Sequence, residues 1–156
     1  MENKKTKIIF ICLGNICRSP LAMFLLQYRL EQLGLEDKYE VTSAGLESST
    51  AGEDMHEGSK KELNEHNIPF TTHSAHKLTL ADYASADYVI VMEQYQKIKI
   101  KRFVSNVNVN KIHTLLEYTD EKRDIQDPYY TGDFKTAYED ISLGIEGFIN
   151  KIILSK

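Results

Sequence analysis

Cys12, Cys17, Arg18 and Ser19 lie together in the string "ICLGNICRSP", directly after an apolar run. A thiol attacks well only as its thiolate. Arginine offers a planar fork that matches two oxygens of a phosphate. A cysteine and an arginine at C-x5-R spacing can therefore face one tetrahedral oxyanion, provided the chain between them curls. Gly14 and Asn15 are residue types that tolerate the left-handed or strained backbone of such a curl. Backbone N–H groups of Leu13, Gly14, Asn15, Ile16, Cys17 and Arg18 can then converge on the anion. A helix opening at Ser19 and Pro20 adds the favourable end of its dipole. Ser19 can donate a hydrogen bond to the Cys12 sulfur. The chemistry implied is in-line attack of sulfur on phosphorus through a phosphocysteine. The loop would stabilise the equatorial oxygens of the transition state.

An alkoxide or phenoxide leaves poorly without a proton donor. The chain has 23 acidic residues, so their number selects none of them. Context selects "DIQDPYYTGDF", residues 124–134, where Asp127 precedes Pro128 and takes a restricted extended or turn geometry. Tyr129 and Tyr130 follow in a polar stretch and can wall a slot for a flat aryl group.

These residues need a scaffold. Residues 7–12 are nearly continuous in β-branched and aromatic side chains, the pattern of a parallel strand covered on both faces. Ala22, Leu26, Leu30 and Leu33 recur at helical spacing from about Ser19, and Gly34 can end that helix. Residues 39–43 alternate as a short strand, and "AGLESSTAGED" reads as a loop. "HEGSKKELNEHN" reads as a polar helix stopped before Pro69. "DYVIVM", 87–92, is a second buried strand, and "EQYQKIKIKRF" a basic helix, although "KIKIK" also alternates. A short strand spans 112–115. Phe134, Ala137, Tyr138, Ile141, Ile145, Phe148, Ile149 and Ile152 mark one face of a long final helix, with Asp133 as N-cap. Alternating strands and helices predict one α/β domain over 1–156, a four-stranded parallel sheet with helices on both faces. Ligands bind such sheets beyond the carboxyl ends of the strands, where Cys12 falls.

The bulk properties agree. At 156 residues and 42% apolar composition, one core is expected. A net charge of −4 argues against a nucleic-acid partner but leaves room for a local anion site. No stretch reaches the length of a membrane span, and the apolar run 8–11 is too short for a signal sequence, so a cytoplasmic location is expected. Two cysteines make no disulfide framework, and scattered histidines give no metal-ligand spacing; neither metal nor cofactor is expected.

With these pieces together, the chain resembles the low-molecular-weight protein tyrosine phosphatases. "ICLGNICRSP" and "DPYY" match that family's two signatures, and "SAG" at 43–45, "HEG" at 56–58, "DYVIVME" at 87–93 and the final helix extend the likeness over nearly the whole chain. The resemblance implies a phosphotyrosine protein phosphatase I-like, Rossmann-like fold. It implies Cys12 as nucleophile, Arg18 as phosphate clamp and Asp127 as general acid and later base. It implies Asn15, Ser19, Ser43 and His73 as the network holding the loop, and Tyr129 and Tyr130 as an aromatic wall whose tyrosines are themselves phosphorylated in some members. Cys17 matches the second cysteine, which traps oxidised Cys12 as a disulfide. The implied substrate is a phosphotyrosine protein or peptide, with phosphate or another oxyanion in the loop, and the implied state a monomer or weak dimer.

Three departures stand out. Ser49 or Thr50 occupies the place of a wall aromatic, with Leu46 a partial substitute; His76 replaces a usual arginine and removes a surface charge; Glu93 replaces a usual aspartate, a conservative structural change. Three other functions remain open. An arsenate reductase on this fold needs a further cysteine pair, and none lies beyond Cys17. Phosphoarginine phosphatases typically carry threonine where this loop has Ile16. A non-catalytic phosphotyrosine-binding module needs neither nucleophile nor acid.

Overall fold

The computed structural model describes residues 4–155. Four strands, β1 (Thr6–Cys12), β2 (Tyr39–Gly45), β3 (Tyr88–Val91) and β4 (Ile112–Thr114), form one parallel sheet in the order β2-β1-β3-β4. The helices are α1 (Arg18–Gln32), α2 (Glu57–Glu65), α3 (Leu80–Ser85), α4 (Gln94–Phe103), α5 (Pro128–Thr131) and α6 (Phe134–Phe148). The expected four-stranded parallel sheet with helices on both faces is the one found.

Alternation along β1 explains why both sheet faces are covered. Ile8, Phe10 and Cys12 enter one core with Leu26 and Leu30 of α1 and Ile141, Ile145 and Phe148 of α6. Ile9 and Ile11 enter the other, with Tyr83 of α3 and Ile100 of α4. Burying one such side chain contributes about 1.5–3 kcal/mol, so the central strand is firmly held and its carboxyl end is a rigid platform. The pairing Cys12 to Gly45 brings the end of β2 beside the backbone of Cys12. A Cβ on Gly45 would lie 3.0 Å from the Leu13 carbonyl oxygen and 3.2 Å from the Asn15 Cβ. The glycine of "SAG" thus lets the loop after β1 settle against β2.

Some boundaries differ from expectation. The strand expected over 87–92 is Tyr88–Val91, and Leu115, expected at the end of the last strand, opens a 3-10 turn instead. The alternating "KIKIK" is helical. Two positions apart on a helix point to nearly opposite sides, and Ile100 is buried while Ile98 is 51% exposed. Helices α3 and α5 were not expected. The first is six residues long, yet it carries a capping box between Thr79 and Asp82. The second is a single turn, with Asp127 as N-cap and Pro128 in its first turn. Asp133 caps α6 as expected, accepting from the Thr136 N–H. No helix among the described residues is long and apolar enough to cross a membrane.

Candidate active site

The segment from Leu13 to Cys17 joins β1 to α1, and its hydrogen bonds have one direction. Every carbonyl in it is held from outside. Leu46 and Glu47 N–H groups donate to Leu13 O at 2.9 and 3.2 Å, and the His56 N–H to Ile16 O at 2.8 Å. The Thr50 hydroxyl donates to Gly14 O, His73 Nε2 bonds Asn15 O at 2.8 Å, and the Ser59 hydroxyl donates to Cys17 O at 3.0 Å. No N–H from Leu13 to Cys17 has an acceptor among the described residues. Peptide groups point their two ends oppositely, so a loop with its oxygens pinned outward turns its N–H groups inward. Successive inward N–H groups form an anion-binding nest.

Asn15 makes that turn possible. It is fully buried at φ 59°, the left-handed region that asparagine tolerates better than most residues. Gly14, expected to share this role, has no positive φ; it matters because a Cβ there would meet Thr50 Oγ1 at 2.9 Å. The Asn15 side chain ties the loop together. Nδ2 donates to Ser19 Oγ at 2.8 Å and Ser43 Oγ at 2.9 Å, while Oδ1 accepts from the His76 N–H at 3.1 Å. Ser19 Oγ lies 3.0 Å from Cys12 Sγ. Because Asn15 donates to Ser19, the Ser19 hydroxyl hydrogen has two acceptors within reach, the Cys12 sulfur at 3.0 Å and the Ala44 carbonyl at 3.4 Å, and the sulfur is the nearer.

His73 closes the ring from outside. Burial pushes its pKa below the ordinary value, so the ring is neutral and donates its Nε2–H to Asn15 O. Its own N–H donates to Asp54 Oδ1 at 2.9 Å. Hydrogen bonds from Lys60 first, then from the His73 and Met55 N–H groups, hold the Asp54 carboxyl at about 2. Cys17 is the N-cap of α1 and lies buried in the loop. Burial, reinforced by Cys12 and Asp127, raises its thiol to about 12.

Arg18 is 1% exposed. Its Nη1 donates to Ile125 O at 2.6 Å and pairs with Glu93 Oε2 at 2.9 Å; its Nη2 lies 3.3 Å from Asp127 Oδ2. Neither Nε nor Nη2 makes a hydrogen bond of good geometry. One side of the fork is anchored, and the other retains donors for two oxygens of an anion. Asp127 accepts from the Tyr129 N–H at 3.1 Å, so the α5 turn fixes the carboxyl beside Arg18. Glu93, expected as a conservative structural replacement, is a direct partner of Arg18.

A cavity of about 180 Å³ opens above the loop, with Cys12, Leu13, Gly14, Ile16, Cys17, Asp127, Tyr129, Tyr130, Ser49 and Thr50 on its walls. The two tyrosine rings meet edge to face at 5.3 Å. Leu46, expected on this wall, is not there. It packs against the opposite core and borders a groove with Lys77 and Phe103. One residue along a loop leaving a strand suffices to change face, and Glu47 is on the wall instead. His76 was read as a lost surface charge; its ring bonds Asp82 at 3.0 Å, and its backbone N–H is what reaches the loop. Sequence reasoning also missed the braces His56, Ser59 and Asp54. "HEG" is visible as a string, but nothing in it announces a backbone donor to Ile16.

Comparison with known proteins gives a consistent result. The family model described as "Low molecular weight phosphotyrosine protein phosphatase" matches residues 7–155. The chain is 36% identical over 147 residues to the low molecular weight protein-tyrosine-phosphatase PtpA of Staphylococcus aureus, covering 94% of this chain and 93% of that protein. The crystal structure of YfkJ from Bacillus subtilis superposes with a TM-score of 0.95 at 31% identity, covering 100% of this chain and 99% of that one. DARP, the Drosophila arginine phosphatase, superposes with a TM-score of 0.84 at 27% identity, covering 93% and 96%.

Proposed function

The chain belongs to the low molecular weight phosphotyrosine protein phosphatase family, and from that premise we propose that it hydrolyses phosphotyrosine in proteins or peptides, and small aryl phosphates, through a phosphocysteine on Cys12. The observation carrying this reading is the loop whose carbonyls are all pinned outward around the buried Cys12 sulfur. The Cys12 thiolate attacks phosphorus in line with the tyrosyl oxygen. The S–P bond forms as the P–O bond breaks, and Asp127 in its acid form protonates the departing phenol. Loop N–H groups and Arg18 stabilise the equatorial oxygens. In the second step the Asp127 carboxylate takes a proton from water as its oxygen attacks phosphorus. The S–P bond breaks, and the Ser19 hydroxyl stabilises the sulfur as it leaves. Ser43 and His73 act through Asn15. Tyr129, Tyr130, Ser49 and Thr50 bound the substrate slot.

A second reading, hydrolysis of phosphoarginine, is favoured by the likeness to the arginine phosphatase. Ile16 lines the slot and counts against it, because its bulk suits packing against a flat aryl group where phosphoarginine phosphatases typically carry threonine. Arsenate reduction lacks its cysteines, since Cys12 and Cys17 are the chain's only two. Oxidation by peroxide takes Cys12 to a sulfenic acid, and attack by the Cys17 sulfur then releases water and leaves a reversible disulfide. Burial raises the Cys17 thiol above its ordinary range, which slows this attack at neutral pH. A cytoplasmic enzyme, monomeric or weakly dimeric, completes the proposal. The test is metal-free hydrolysis of para-nitrophenyl phosphate and a phosphotyrosine peptide, abolished by Cys12→Ser. For Asp127→Ala, turnover should fall most with poor leaving groups; turnover independent of the leaving group would refute the acid role.

A further inference from the structure

The cavity that would receive the substrate has an unexpected charge. The phosphate end needs positive potential, which the loop and Arg18 supply. Among the described residues its walls carry two carboxylates, Glu47 and Asp127, and no lysine or arginine. The acid–base role occupies Asp127 and leaves Glu47 without one. A carboxylate at the rim repels an incoming phosphate, so it works against binding unless the substrate brings a compensating cation.

Resting on the phosphotyrosine reading, we infer that Glu47 is a specificity residue that receives a lysine or arginine side chain lying beside the phosphotyrosine. Two further observations support this. Ser49 Oγ donates to Glu47 Oε1 at 2.9 Å, which steadies the carboxylate, while Oε2 has no hydrogen-bond partner among the described residues. Tyr129 and Tyr130 line the same cavity, 56% and 73% exposed, and an exposed aromatic ring also attracts a cation. The walls thus combine a held carboxylate with two aromatic rings. This suits an ammonium or guanidinium group and disfavours an acidic neighbour. It also gives the serine at position 49 a use: it orients an acid rather than merely lacking an aromatic ring.

The experiment compares kcat/KM at low salt for three phosphotyrosine peptides identical except for lysine, alanine or glutamate beside the phosphotyrosine. The expected order is lysine, alanine, glutamate, with a lysine-to-glutamate ratio of about three to tenfold. That ratio should shrink as salt is added. Glu47→Gln should bring it close to unity, and Glu47→Lys should reverse it. A ratio near unity in the unmodified protein, or one that survives Glu47→Gln, would overturn the inference. Para-nitrophenyl phosphate is run in parallel to separate the two levels. Cys12-dependent turnover with no discrimination among cleaved peptides overturns Glu47's role alone. Failure to cleave any phosphotyrosine peptide overturns the phosphotyrosine reading and this inference with it.

Discussion

Replacing Asn15 with alanine removes the knot of the loop, and the structure sets the size of the effect. Two hydrogen bonds from Nδ2, to Ser19 and Ser43, and one to Oδ1, from the His76 N–H, are lost. Each contributes about 1 kcal/mol net. The His76 N–H loses its acceptor, whereas the two serine hydroxyls can rotate toward other partners. Position 15 has φ 59°, which costs alanine about 1 kcal/mol or more relative to a residue that tolerates it. The sum is about 3–5 kcal/mol, which at this chain length lowers Tm by about 6–20 °C. Urea unfolding followed by circular dichroism measures it. Asn15→Gly separates the terms, since glycine removes the same hydrogen bonds without the backbone strain. It should be the less damaging variant by about 1 kcal/mol. Activity should fall in both, because Ser19 loses the bond that aims its hydroxyl at Cys12. A loss of stability below about 1 kcal/mol in Asn15→Ala would refute the claim that this side chain holds the loop.

Glu93→Gln removes the charge paired with Arg18 Nη1 while leaving the Ile125 carbonyl in place. A misaimed fork should lower kcat by about tenfold, with KM no higher, because one negative charge near the phosphate has also gone; an unchanged kcat would count against Glu93 as the residue that positions Arg18. His73 gives a pH dependence whose sign follows from burial. Its folded pKa lies below the unfolded value, so the unfolded chain takes the proton first, and stability falls as pH drops below about 6.5. His73→Gln should remove that part of the acid loss, measured as unfolding free energy against pH for both proteins.

The fold was legible because its signals are long. The apolar run ending at Cys12, the helical period after Ser19 and the eight-position stripe from Phe134 to Ile152 each exceed chance, and strands in alternation with helices imply a parallel sheet. Helix α3 was missed because six residues give no period, although Thr79 and Asp82 spelled its cap. In the site, Cys12, Arg18 and Asp127 stand out in the sequence because the chemistry expected of them demands those residue types, and the fold places Asp127 beside Arg18 and on the same cavity as Cys12. Glu93 was not, since an acid beside a strand end has many structural uses, and only the fold brings it to Arg18. Ile125 and His76 act through the backbone, which leaves no mark in residue identity. Leu46 and Glu47 exchanged places because a loop's facing depends on turns that no periodicity records.

The central claim is the covalent role of Cys12, and the most direct measurement is rapid acid quench of Asp127→Ala during turnover of para-nitrophenyl phosphate, followed by peptide mass spectrometry. In that variant the second step lacks its base, so the phosphoenzyme accumulates. The account predicts one phosphoryl group on Cys12, absent from Cys17 and from the Cys12→Ser protein. Turnover with no phosphoryl group on Cys12, or the same label on another residue, would contradict it.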